Sequence, residues 1–151
     1  MNAGSEILEK WIEKVAESHP QSAAALRARK PDPFRNPIGY TIRHGLAQLW
    51  EQLQGDMDAS AIDSALDDVL RIRAVQDMSA SEAAGFVTPL RSILRQAPET
   101  LDLDLLDGRI DQLARAALEK YMQCRDQIRA ARLHETARLT RKHRLIRKAG
   151  A

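Results

Sequence analysis

From Leu106 to Ala131 apolar residues return at alternating steps of four and three: Leu106, Ile110, Leu113, Ala117, Tyr121, Cys124, Ile128 and Ala131. Only an α-helix places residues so spaced on one face, and the run lasts about seven turns. A helix of that length sets the architecture, because its apolar face must be covered by other helices or by a second copy of itself. The spacing alone serves a dimer seam and an intramolecular core seam equally well. Leu106, Ile110, Leu113, Ala117 and Tyr121 are read here as the seam of a homodimer. The next seam positions are Glu135, Arg138 and Lys142, so the apolar face ends near Ala131. The chain divides accordingly into a helical domain over 1–131 and a basic helical extension over 132–151.

The upstream sequence repeats the helical period in shorter pieces. Ser5 is positioned to cap a helix carrying Ile7, Leu8, Trp11, Ile12 and Val15, ending near His19-Pro20. Three prolines between Arg27 and Pro37 fix their own φ and push their predecessors out of helix, which predicts a structured loop. Asn36-Pro37 then gives a cap followed by proline at the first helical position, with Ile38, Ile42, Leu46, Leu49 and Leu53 running on to Gly55. Ser60 with Asp63 resembles a capping box for a third helix that reaches about Asp77, and Ser79 with Glu82 is a second one. The helix opened by Ser79 carries Phe86, Leu90, Ile93 and Leu94, and Pro89 predicts a kink or a local loosening near Gly85. The long helix starts around Asp102 to Asp104, acids at its positive end. The expectation is an all-α bundle of five to six helices, globin-like, with a long C-terminal helix.

The chain is 151 residues long, enough for one ordinary core. No window approaches the apolar length of a spanning helix, and no basic-then-apolar leader opens the sequence, so a cytoplasmic protein without membrane insertion is expected. One cysteine, Cys124, permits no internal disulfide and no multi-cysteine metal site. Net charge is only +2 but unevenly spread: ten Lys or Arg lie between Lys120 and Lys148 against Asp126 and Glu135.

Catalytic signatures are missing: there is no phosphate-cradling glycine loop, Cys-x-x-Cys pair, His-Glu-x-x-His or nucleophile elbow. Asp67-Asp68, Asp102 and Asp104 stand where a solvated face or a helix start places acids. The histidines, His19, His44, His134 and His143, form no ligand-spaced pair. His44 lies with Tyr40 and Arg43 on the helix after the proline loop, where it would line an internal cleft; one imidazole is enough to hold haem, which makes His44 and Tyr40 the residues of a ligand-sensor reading. The reading adopted is that no cofactor and no metal is bound. Arg71, Arg73, Gln76 and Asp77 are polar for the end of an apolar helix, and Arg73 with Asp77 is an i, i+4 pair. They either solvate that corner or form a polar pocket or docking edge. Arg138, Arg141, Lys142, Arg144, Arg147 and Lys148 are able to neutralise phosphates, but no aromatic interleaves them to stack a base, which argues against nucleic acid and for a solvated helix.

Asp32-Pro33-Phe34-x-Asn36-Pro37-Ile38-Gly39-Tyr40, followed by Arg71-Ile72-Arg73-Ala74-Val75-Gln76-Asp77-Met78-Ser79-Ala80-Ser81-Glu82-Ala83, resembles the N-terminal domain of the RsbRD-type RsbT co-antagonist proteins over most of residues 5 to 130. The resemblance implies a helical, globin-related sensory domain without haem, found at the periphery of stressosome complexes and paired into dimers. Its long last helix leads to a STAS domain in such proteins. This chain ends at Ala151 without one, so phosphorylatable residues and switch-protein contacts do not carry over, and Pro89 departs from the expected pattern. It looks like a stand-alone sensory domain, and such members are similar to proteins accompanying anaerobic sulfur or sulfate respiration. The function expected is therefore a non-enzymatic, dimerising module that acts through protein contacts on a signalling or respiratory partner. A haem or small-ligand sensor and an anionic-surface binder are the alternatives.

Overall fold

Caps and prolines cut the chain into helices. In the computed structural model, which describes residues 2–98 and 100–150, seven helices follow one another: α1 (Ala3–Ser18), α2 (Pro20–Arg27), α3 (Pro37–Gln54), α4 (Ala59–Val75), α5 (Ala80–Ala84), α6 (Pro89–Arg95) and α7 (Leu103–Ala149). The described residues contain no strand. The all-helical architecture and the long last helix are as the sequence implied.

Two caps fall where expected, Asn36 accepting from Gly39 N and Ser79 from Glu82 N, and the long helix starts where expected, with Asp102 capping it by accepting from Leu105 N. Two fall elsewhere. Asn2 caps α1 by accepting from Ser5 N, and Asp58 caps α4 by accepting from Ser60 N. In both places the expected serine donates its backbone N–H to the cap instead of being the cap. Pro89 does not kink a continuous helix; it occupies the first position of α6, leaving Gly85–Thr88 as a connector. Pro20 likewise opens α2, an element the periodicity of residues 20–27 was too short to announce.

Gly39 explains the Asn-Pro-x-Gly start of α3. A Cβ there would lie 2.3 Å from the Ala25 carbonyl oxygen, the same oxygen that accepts from Asn36 Nδ2 at 2.8 Å. The glycine lets the start of α3 close onto the end of α2, and Asn36 both caps the helix and ties it down.

α4 packs along both α3 and α7, while α1, α5 and α6 close the remaining sides. Trp11, Leu46, Leu49, Leu66, Val69, Leu70 and Leu90 are fully buried at the centre. Their closure is what buries α7. Leu106, Ile110, Leu113, Ala117, Tyr121 and Cys124 are all sequestered, Ile128 is half-buried, and every described residue from Arg129 on is exposed. At 1.5 Å per residue, the 21 residues from Arg129 to Ala149 carry the helix about 30 Å past the body. No helix among the described residues is long and apolar enough to cross a membrane.

Candidate functional site

The most unusual side chain of the body is Arg73. It is 2% exposed, near the end of α4. Its Nη1 donates to the Glu82 carbonyl at 3.2 Å and approaches Met78 Sδ at 3.9 Å, and its guanidinium carbon lies 5.4 Å from the Phe86 ring centroid. Among the described residues Nε has no partner and no carboxylate pairs with the group. Burial pushes its pKa down to about 10, so it is still a cation at neutral pH.

The i, i+4 pair with Asp77 does not form. α4 ends at Val75, and Asp77 adopts a left-handed φ of 56° that turns it outward, where Arg132 of α7 lies 3.5 Å from its carboxylate. That turn allows the Met78 N–H to donate back to the Arg73 carbonyl at 3.3 Å, and it brings the Met78 carbonyl to accept from the Tyr121 hydroxyl. Gln76 also turns inward, donating to Ser22 Oγ at 3.3 Å, and Ser22 meets His19 Nδ1 at 3.1 Å. Burial and then the Arg73 charge hold the His19 imidazole below its ordinary value. Arg71 is separate: it bridges Asp67 at 2.9 Å and Gln127 of α7 at 2.9 Å, on the surface. Of the four corner residues, the structure thus buries Arg73, half-buries Gln76 against Ser22, and leaves Arg71 and Asp77 reaching α7 at the surface.

Along the same α4–α7 junction Lys120 pairs with Asp63 at 2.7 Å, and the Cys124 thiol approaches Asp67 at 3.7 Å. Burial pushes that thiol's pKa up, away from the thiolate that reactive chemistry needs.

Tyr40 and His44 come together, but at the surface. Their rings stack at 5.7 Å and 5° with His44 exposed, so the internal cleft expected for it is absent. The reason is the register of α3: Ile42, Gly45, Leu46 and Leu49 take the inward face, and a Cβ on Gly45 would meet Val69 at 2.6 Å, leaving no gap between α3 and α4.

The proposed dimer seam is corrected in the same way. Leu106, Ile110, Leu113, Ala117 and Tyr121 are 0–4% exposed within one chain, because α3, α4, α5 and α6 already cover that face. Of the exposed apolar residues of α7, Leu118, Met122 and Leu133 lie on its outer side.

Arg138, Arg141, Lys142, Arg144, Arg147 and Lys148 all stand in solvent on the extension. Arg138 pairs with Glu135 at 2.9 Å; the other five have no ion pair among the described residues. Their positions ring the helix rather than forming one face. Phe34, in the proline loop, is 93% exposed. Sequence reasoning passed over it because an isolated phenylalanine between prolines carries no period.

The model of one family, the RsbT co-antagonist protein rsbRD N-terminal domain, matches residues 5–136, thus the whole body and the first turns of the projecting half of α7. No curated protein and no solved structure matches.

Proposed function

The chain belongs to the RsbT co-antagonist protein rsbRD N-terminal domain family, a signalling-associated family, and on that basis we propose that it is a non-enzymatic sensory module whose output element is α7. One observation carries the reading: α7 is a single helix that is part of the core as far as Ile128 and stands in solvent from Arg129 on, where its one ion pair to the body among the described residues is Arg132 with Asp77. A change in how α4 and α5 pack on Tyr121 and Cys124 moves a rod about 30 Å long with it. An isolated helix of that length is marginal in water, and this one sets like charges three or four residues apart at Arg138, Arg141 and Lys142 and at Arg144, Arg147 and Lys148. Its helicity therefore calls for a partner.

The first partner proposed is a second copy. Leu118, Met122 and Leu133 follow at steps of four and eleven residues, each near a whole number of turns, and present one apolar stripe on the outer side of α7. Beyond the pair, a cytoplasmic signalling or respiratory regulator reads the extension. Light scattering tests the pairing. The chain is expected to run as a dimer at high micromolar concentration, and Leu118→Glu with Met122→Glu as a folded monomer. A wild-type chain that stays monomeric defeats the dimer, and loss of helicity on dilution without a change in mass defeats the coupling of helix to partner.

A further inference from the structure

The loop from Arg29 to Pro37 is built with more rigidity than a connection between two helices requires. Pro31, Pro33 and Pro37 each fix φ. The Asp32 carboxylate accepts from Phe34 N at 2.8 Å, the Asp32 carbonyl accepts from Asn36 N at 2.8 Å, and Asn36 Nδ2 anchors the end of the loop to the Ala25 carbonyl. At the centre of this brace Phe34 is 93% exposed. A large ring held in water by a rigid backbone gains nothing for the fold. Such rings, together with arginine, are what interfaces use as anchors, because little entropy is lost when they are covered.

Beside the loop lies a shallow groove of about 320 Å³ between α1 and α3. Leu8, Ile12 and the Tyr40–His44 stack supply its apolar lining, and Arg29, Lys30 and Pro31 its loop side. Its third cation is already engaged: Arg43 donates to the Leu26 carbonyl at 2.7 Å and pairs with Glu9 at 2.9 Å. Arg29 and Lys30 have no ion pair among the described residues, nor has Arg35 next to Phe34. The one acid within the loop, Asp32, spends its carboxylate on the Phe34 N–H. The surface is thus a largely apolar trough whose one lining carboxylate, Glu9, is already paired with Arg43, with unpaired positive charge on its loop side and a fixed aromatic three residues farther along the same loop.

We propose that this groove and Phe34 together dock an acidic segment of a partner protein, one carrying a large apolar side chain between carboxylates. The apolar side chain sits against Tyr40, Leu8 and Ile12, the carboxylates face Arg29 and Lys30, and Phe34 covers the segment from the loop. Charge complementarity selects the acidic partner, and the trough, which a polyphosphate does not need, selects a peptide over a nucleic acid. The surface is distinct from α7 and does not depend on the pairing of two copies.

The test uses the full chain and a displayed library of random twelve-residue peptides. Enriched sequences are expected to combine Asp or Glu with Leu, Phe, Trp or Met. Binding of the synthesised winners should fall about tenfold or more for Phe34→Ala and for Arg29→Glu with Lys30→Glu, as for other anchor residues. It should also weaken with salt. All three substitutions are at solvent-exposed positions, so unchanged thermal unfolding separates lost binding from lost fold. Winners that are neutral or basic, or that bind the Phe34→Ala chain as well as the wild type, overturn the proposal. So does tight binding of a labelled oligonucleotide or of phosphatidylserine vesicles that Arg29→Glu with Lys30→Glu abolishes while Phe34→Ala leaves it intact.

Discussion

Replacing Arg73 by methionine tests whether the body carries an uncompensated charge. A guanidinium held at about 10 by burial carries a charged-state penalty of roughly 3 kcal/mol. Two contacts oppose it. The Phe86 ring face contributes about 1–2 kcal/mol, and the hydrogen bond to the Glu82 carbonyl about 1.5–3 kcal/mol. The terms nearly cancel, so the arginine contributes little net stability at its position. Methionine is unbranched and similar in reach, keeps the packing against Phe86 and Met78, removes the desolvated charge, and leaves the Glu82 carbonyl without its donor.

Arg73→Met is therefore expected to change unfolding free energy by less than about 1 kcal/mol, a melting shift within about 4 °C for a chain of this size. Arg73→Ala, which leaves a cavity as well, should cost about 3 kcal/mol. Urea unfolding followed by tryptophan fluorescence reports directly on this corner, because Trp11 stacks on Phe86 at 6.1 Å and donates to its carbonyl at 2.6 Å. If Arg73→Met instead costs about 3–5 kcal/mol, the guanidinium has a buried counter-charge that the substitution strands, and the argument fails.

Three further substitutions probe the elements that hold the corner and the loop. Gly39→Ala drives a methyl against the Ala25 carbonyl and the Asn36 side chain, and should lower stability by about 2–3 kcal/mol in calorimetry; a neutral result would mean that α2 and α3 are not locked as described. Tyr121→Phe removes the donor to the Met78 carbonyl and should cost about 1–2 kcal/mol, read by urea unfolding, with the dimensions of the body unchanged. For His19 the folded-state imidazole is held below its ordinary value, first by burial and then by the Arg73 charge, partly countered by Glu82. The unfolded chain then takes up the proton first, and stability falls as pH drops through about 6.5. His19→Gln should flatten that acid-side fall, and an unaltered pH profile of the melting temperature would remove the assignment.

Where the sequence was read correctly, the deciding interaction was local. Asn36, Ser79 and Asp102 cap the helices they precede because each accepts from an N–H three residues on, a geometry that needs no distant partner. The two misplaced caps are local as well, but there Asn2 and Asp58 stand two or three residues ahead of a serine that is itself a good cap, and each accepts from that serine's own N–H. Arg73 was illegible for a different reason. Its spacing to Asp77 matches a helical ion pair, and only the end of α4 at Val75 and the left-handed turn at Asp77 send the two charges to opposite sides of the chain. The seam of α7 shows the limit most directly. Four-three spacing states that one face must be covered and leaves open by what. The cover turns out to be α3, α4, α5 and α6 as far as Cys124, whereas Leu139 and Ile146, on the same face as Ile128, are given none by the body. One helical face therefore has two fates along its length: the other helices cover it as far as Ile128, close to where the four-three seam itself gives way to Glu135, Arg138 and Lys142.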